Sequence, residues 1–205
     1  MQNSEPLKKY TSDNTLRYRD VLSVQTDLQT VAAQLKKLRS LDQSDETQVL
    51  RLALWNSSLA TFFKCFATGV RQYKIDPDIF ATLPGEPLRF VEFLKNQRDK
   101  HVAHSVNMFE EISVGVMLDH EKKQKVGIGH LQIRRVGEPD DHIRSFQRLV
   151  EAAISRAATD FTTITDEING ELDSITYDEM LGWDDLQYVV PEPERAASKA
   201  RKQAT

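Results

Sequence analysis

The stretch TLRYRDVLSVQTDLQTVAAQLKKL, Thr15 to Leu38, decides the fold. Its apolar side chains Leu16, Val21, Leu22, Val24, Leu28, Val31, Leu35 and Leu38 recur at spacings of three and four. That is the period of a helix with one buried face. The polar break SLDQSDE at 40–46 ends this helix and offers N-cap residues to a second, over about 47–73. The second carries Leu50, Leu54, Trp55, Ser58, Leu59, Phe62, Phe63, Phe66 and Val70, an apolar arc wide enough for a central position. Pro77 and Pro84 break the loop that follows.

Pro87 opens a third helix, where a first-turn proline is tolerated, running through about Ser105. The period then changes to two. Ile112, Val114, Val116 and Leu118 alternate, as do Val126 and Ile128, around the charged turn DHEKKQK. This predicts a β-hairpin over about 112–136, with glycines at 115, 127 and 129 permitting close approach or a bulge. Pro139, Asp140 and Asp141 cap a fourth helix with the stripe Ile143, Phe146, Leu149, Val150, Ala153, Ile154, Ala157, Phe161 and Ile164, ending at Gly170. The expectation is a mainly α protein: an antiparallel bundle of about four long helices with one inserted hairpin. Residues 1–14 read as a flexible lead, 15–170 as the bundle and 171–205 as a polar, disordered tail.

Composition fits a soluble globular chain. Of 205 residues, 40% are hydrophobic and 28% charged, with a net charge of −4. No segment suits a bilayer span, and the first residues lack the apolar run of a secretory signal. Cys65, alone in an apolar run, reads as a buried thiol in a reducing, cytoplasmic compartment. One cysteine excludes an intrachain disulfide or a cysteine-based zinc site. The acidic balance does not advertise a nucleic-acid binder, yet local clusters such as Arg89, Lys95, Arg98 and Lys100 can capture phosphate.

The chemistry concentrates in RDKHVAHSVN, Arg98 to Asn107, at the end of the third helix. On a helical wheel Phe90, Phe93, Gln97, His101 and His104 share a stripe, and Leu94, Arg98, Val102 and Ser105 share the next. Arg98 and His104 lie about 9 Å apart along the axis and roughly 120° around it. They converge on one ligand only across the helix end or with a second subunit. A guanidinium binds phosphate oxygens in pairs, and a histidine moves protons near neutral pH. Together they suffice for RNA cleavage without a metal, the ribose 2′-hydroxyl attacking the adjacent phosphate. A metal set of His101 and His104 with Asp99 or His120 is only partial, and no His-Glu-x-x-His pattern supports it.

The form Arg-Asp-Lys-x-x-Ala-His resembles the signature of the HEPN superfamily, in particular its abortive-infection branch. The resemblance implies a helical bundle acting as a homodimeric, metal-independent endoribonuclease, often a toxin with an antitoxin partner, and no cofactor. Other members bind RNA, nucleotides or proteins without cutting. By that resemblance Arg98 and His104 are catalytic, and Asp99 orients one of them. Lys100, His101, Ser105 and Asn107 are the expected substrate contacts. Val106 stands where toxins silenced by nucleotidylation carry tyrosine, and the hairpin has no counterpart in the common core.

Overall fold

The structure, a computed structural model, describes residues 7–67, 71–99, 112–132 and 137–187. It is mainly helical, with one two-stranded antiparallel sheet. Helix α1 (Asp13–Ser40) opens on a capping box: the Ser12 hydroxyl accepts from Thr15 N–H, and the Thr15 hydroxyl accepts from Ser12 N–H. Val21, Val24, Leu28, Val31, Leu35 and Leu38 are buried as the spacing requires, whereas Leu22 faces outward.

Helices α2 (Asp45–Lys64) and α4 (Asp140–Leu172) flank α1. The polar pairs give the directions. Arg17 meets Glu167, Gln25 donates to the Ala157 carbonyl and Arg39 meets Gln147, so α1 and α4 run antiparallel. Gln34 meets Ser57 and Ser58, while Arg51 donates to the carbonyls of Leu38 and Leu41, so α2 also opposes α1. Those two bonds satisfy acceptors that a helix end otherwise leaves open. Helix α3 (Pro87–Gln97) is shorter and packs against α2 and α4.

Helix α2 stops well before the expected 73. The N–H groups of Cys65 and Phe66 bond back to Phe62 and Phe63 in a tightened last turn, and the Cys65 carbonyl then takes Ile75 N–H. The apolar period continues past the point where the backbone leaves the helix. The proline-rich loop holds a 3₁₀ turn, Pro77–Thr82, which drives Phe80 into the core. At the other end α4 runs through Gly170 to Leu172. Among the described residues, no helix is long and apolar enough to cross a membrane.

Within the segments expected to be a flexible lead and a disordered tail, the described residues 7–14 and 171–187 are ordered against each other; residues 1–6 and 188–205 lie outside the described residues. A short helix α5 (Tyr177–Leu181) carries its own capping box, Thr176 with Glu179. Lys8 bridges Asp185, Lys9 N–H donates to Asp184, and Leu186 N–H donates to Leu7. Tyr10 stacks on Trp183 with ring centroids 5.3 Å apart. Polar composition concealed this clasp because its partners are far apart in sequence.

Glu171 locks the clasp by accepting from the Tyr10 hydroxyl, the Ser12 hydroxyl and the Asn14 amide. These bonds, led by Tyr10, hold its carboxyl below the ordinary 4.5. A carboxylate lowered on folding adds stability above its unfolded pKa and loses it as pH falls through the folded one. The clasp is therefore expected to loosen below about pH 4.5, as Trp183 fluorescence would report. Glu171→Gln should remove that acid transition; an unchanged transition would contradict the role of Glu171.

The expected thiol is buried. Desolvation pushes Cys65 up to about 12. It should resist alkylation in the folded chain at neutral pH and react on unfolding. Rapid labelling of the folded chain would contradict this placement.

Candidate functional site

The site begins where α3 ends. Leu94 is fully buried and fixes the helix roll, and Pro87 begins the helix at a position needing no N–H partner. Arg98 caps α3, its N–H bonding to the carbonyls of Leu94 and Lys95, and Arg98 and Asp99 continue in a wider, π-type turn.

Arg98 lies over α2. Its guanidinium carbon stands 4.8 Å from the centroid of the Phe63 ring, a cation–π arrangement. Arg98 Nε donates to Asp99 Oδ1 at 2.7 Å, and Nη2 reaches the same oxygen at 2.5 Å. The arginine side chain is 29% exposed and the aspartate 44%. Asp99 thus pairs with Arg98 itself, its neighbour in sequence. The pair fixes the plane of the guanidinium and offsets its charge, so an incoming phosphate must compete with Asp99.

Lys100, His101, His104, Ser105 and Asn107 lie outside the described residues. So does the end of the third helix expected at Ser105.

On its other side α3 meets the start of α4. Gln97 is nearly buried: its Oε1 accepts from the Trp55 indole at 3.0 Å, and its Nε2 donates to Glu138 Oε1 at 3.3 Å. Glu138 Oε2 lies 2.9 Å from His142 Nδ1, and against a carboxylate that nitrogen is the donor. The His142 ring meets Phe93 edge-on with centroids 5.0 Å apart. A polar chain therefore runs from the core, Trp55, to a half-exposed imidazole. It satisfies buried polar groups, and it fixes one nitrogen of His142 by a carboxylate, as in acid–base sites. Glu138 and His142 had no place in the sequence reading. Their one local signal is the i,i+4 spacing across the Pro139 cap.

No family model, curated protein or solved structure matches this chain.

One alternative is a cleft of about 540 Å³ between the starts of α2 and α4, lined by Ser44, Asp45, Arg51, Glu138 and Asp140 among others. Arg51 is buried there, with one guanidinium nitrogen, Nη2, lacking a hydrogen-bond partner. Three carboxylates against one guanidinium disfavour a phosphate in this cleft. Among the described residues, no three His, Cys, Asp or Glu side chains group closely enough to hold a metal ion. Of the other basic groups, Arg89 is paired with Glu86 and Lys122 reaches Asp119. Arg98 is itself paired with Asp99; what sets it apart is the Phe63 ring against its guanidinium.

Proposed function

We propose that this chain is a metal-independent endoribonuclease of the HEPN type, built as an antiparallel bundle of four helices and working as a homodimer in the cytoplasm. Arg98 holds a backbone phosphate of RNA, and His104 moves protons. The ribose 2′-oxygen forms its bond to phosphorus as the bond to the 5′-oxygen breaks. The attacking hydroxyl loses a proton and the leaving oxygen gains one. The products are a 2′,3′-cyclic phosphate and a 5′-hydroxyl. Asp99 orients Arg98, while Lys100, His101, Ser105 and Asn107 contact the strand. A toxin or antiphage role, restrained by an antitoxin protein, follows from the same resemblance.

The observation that supports this reading is the held guanidinium. Arg98 is fixed between the Phe63 ring and Asp99 where α3 ends, and it retains partial exposure. A preorganised donor costs little reorganisation as charge develops on a phosphate. The same pairing favours one second reading, a binding module that does not cut, because Asp99 already offsets the Arg98 charge. Incubating structured and unstructured RNAs with the protein in excess chelator separates the two. Products with cyclic-phosphate and 5′-hydroxyl ends are expected. Tight RNA binding with no new ends across the panel would favour the binding module.

A further inference from the structure

The hairpin is the least explained part of the molecule. Strand β1 (Ile112–Asp119) pairs with β2 (Gln124–Gln132), with a bulge at Met117/Leu118. Every residue of β1 up to Leu118 is exposed. A hairpin alone in water is marginally stable; a third strand or a covering layer is normally required.

Its composition departs from the rest of the chain. Neither Ile112–Leu118 nor Val126–Gln132 contains Asp, Glu, Lys or Arg. At the chain's average of 28% charged, two such seven-residue strands would carry about four. Exposed strands are normally protected from association by charges or prolines. Between Ile112 and Gln132 the charges sit at the tip, from Asp119 to Lys125, with Glu110, Glu111, Arg134 and Arg135 flanking the hairpin in sequence.

The two faces differ. Register places Ile112, Val114 and Val116 opposite Gln132, His130 and Ile128, and cross-strand partners share a face. The other face pairs Ser113 with Leu131, Gly115 with Gly129 and Met117 with Gly127; Leu131 is exposed there, and Met117 lies against both Gly127 and Gly129. The β-branched face carries the larger share of exposed apolar side chains. Ile112, Val114, Val116 and Ile128 are 56 to 72% exposed, and Val126 and Leu118 beside the bulge are each 61% exposed. Burying these six side chains removes on the order of 200–450 Å² of apolar surface per copy. A standard interface takes about 800 Å² per partner, somewhat over half of it apolar. The patch supplies the apolar centre of a modest interface, and its lack of charge argues against nucleic acid as the occupant.

We propose that this face is covered by the same face of a second copy, hairpin on hairpin about a two-fold axis. Apart from Lys125, the cross-strand partner of Leu118 at the tip end, the patch is uncharged, and an apolar patch meets its own copy under that symmetry. The contact does not rest on the ribonuclease reading, since neither Arg98 nor Asp99 belongs to it.

The test is sedimentation of the full chain across a wide concentration range. The wild type should pass from monomer to dimer, and Val114→Lys and Val114→Glu should each remain monomeric with unchanged helical circular dichroism. Mixing those two variants should restore a dimer, because opposite charges then meet across the axis. Ser113→Lys, on the glycine-rich face, should dimerise as wild type. A wild type that stays monomeric, including one that instead sediments with lipid vesicles, would overturn the proposal. So would dimers that survive both charge variants. RNA cleavage is read separately by its products; a monomeric wild type would overturn this interface and the homodimer of the ribonuclease reading, but not the cleavage itself.

Discussion

Replacing Phe62 by alanine should lower the stability of the folded chain by about 3–5 kcal/mol, the range for truncating a large core aromatic. Phe62 is fully buried and joins three parts of the fold. Its ring lies 4.9 Å from Phe146 of α4, in an edge-to-face contact, and 6.2 Å from Phe80 of the 3₁₀ turn. Within its own segment it meets Phe63 at 5.3 Å and Phe66 at 4.7 Å. Alanine forfeits the transfer energy of the ring and leaves a cavity that three separately anchored elements cannot close together. Phe62→Leu keeps much of the volume and should cost clearly less. Urea unfolding with an unchanged m-value would measure both. A loss below about 1 kcal/mol for alanine would contradict this view of the core.

The second large effect is on cleavage. His104→Ala should slow RNA cleavage by about 10²–10⁴-fold, the usual contribution of a positioned acid or base. Arg98→Ala should cost about 10²–10³-fold by removing charge stabilisation from the transition state. Arg98→Lys should restore little, because an ammonium cannot reproduce the planar, two-pronged contact with phosphate or the stacking on Phe63. Stability should change little in Arg98→Ala: its guanidinium is part-exposed, and a cation–π contact at an exposed site is worth about 0.5–1 kcal/mol. Activity and folding are thus separable at this position, which would not hold if Arg98 only pinned the helix end.

The regular elements were legible because each buries one face. The three-and-four spacing of Val24, Leu28, Val31, Leu35 and Leu38 named the buried face of α1. Ile143, Phe146, Leu149, Val150, Ala153 and Ala157 did the same for α4. Alternation located the hairpin, although not that its apolar face would be uncovered. Periodicity misled at the end of α2, where Phe66 keeps the apolar pattern after the backbone has turned. It was silent on Phe80, which fills the core from a loop, and on the stacking of Tyr10 on Trp183.

The site was legible in the same uneven way. Arg98 and Asp99 stood out as a motif whose resemblance left Asp99 to orient either Arg98 or His104; the structure pairs it with Arg98. The chain from Trp55 through Gln97 to Glu138 and His142 left almost no trace. Gln97 and Glu138 are 41 residues apart, and only packing of α3 on the start of α4 brings them together.

The most direct test compares wild type with His104→Ala and Arg98→Ala on the same RNA in excess chelator, each variant first shown to fold. The account predicts cyclic-phosphate products from the wild type and a loss of at least about 10²-fold in both variants. Cleavage that persists in both variants, or wild-type cleavage that the chelator abolishes, would contradict it.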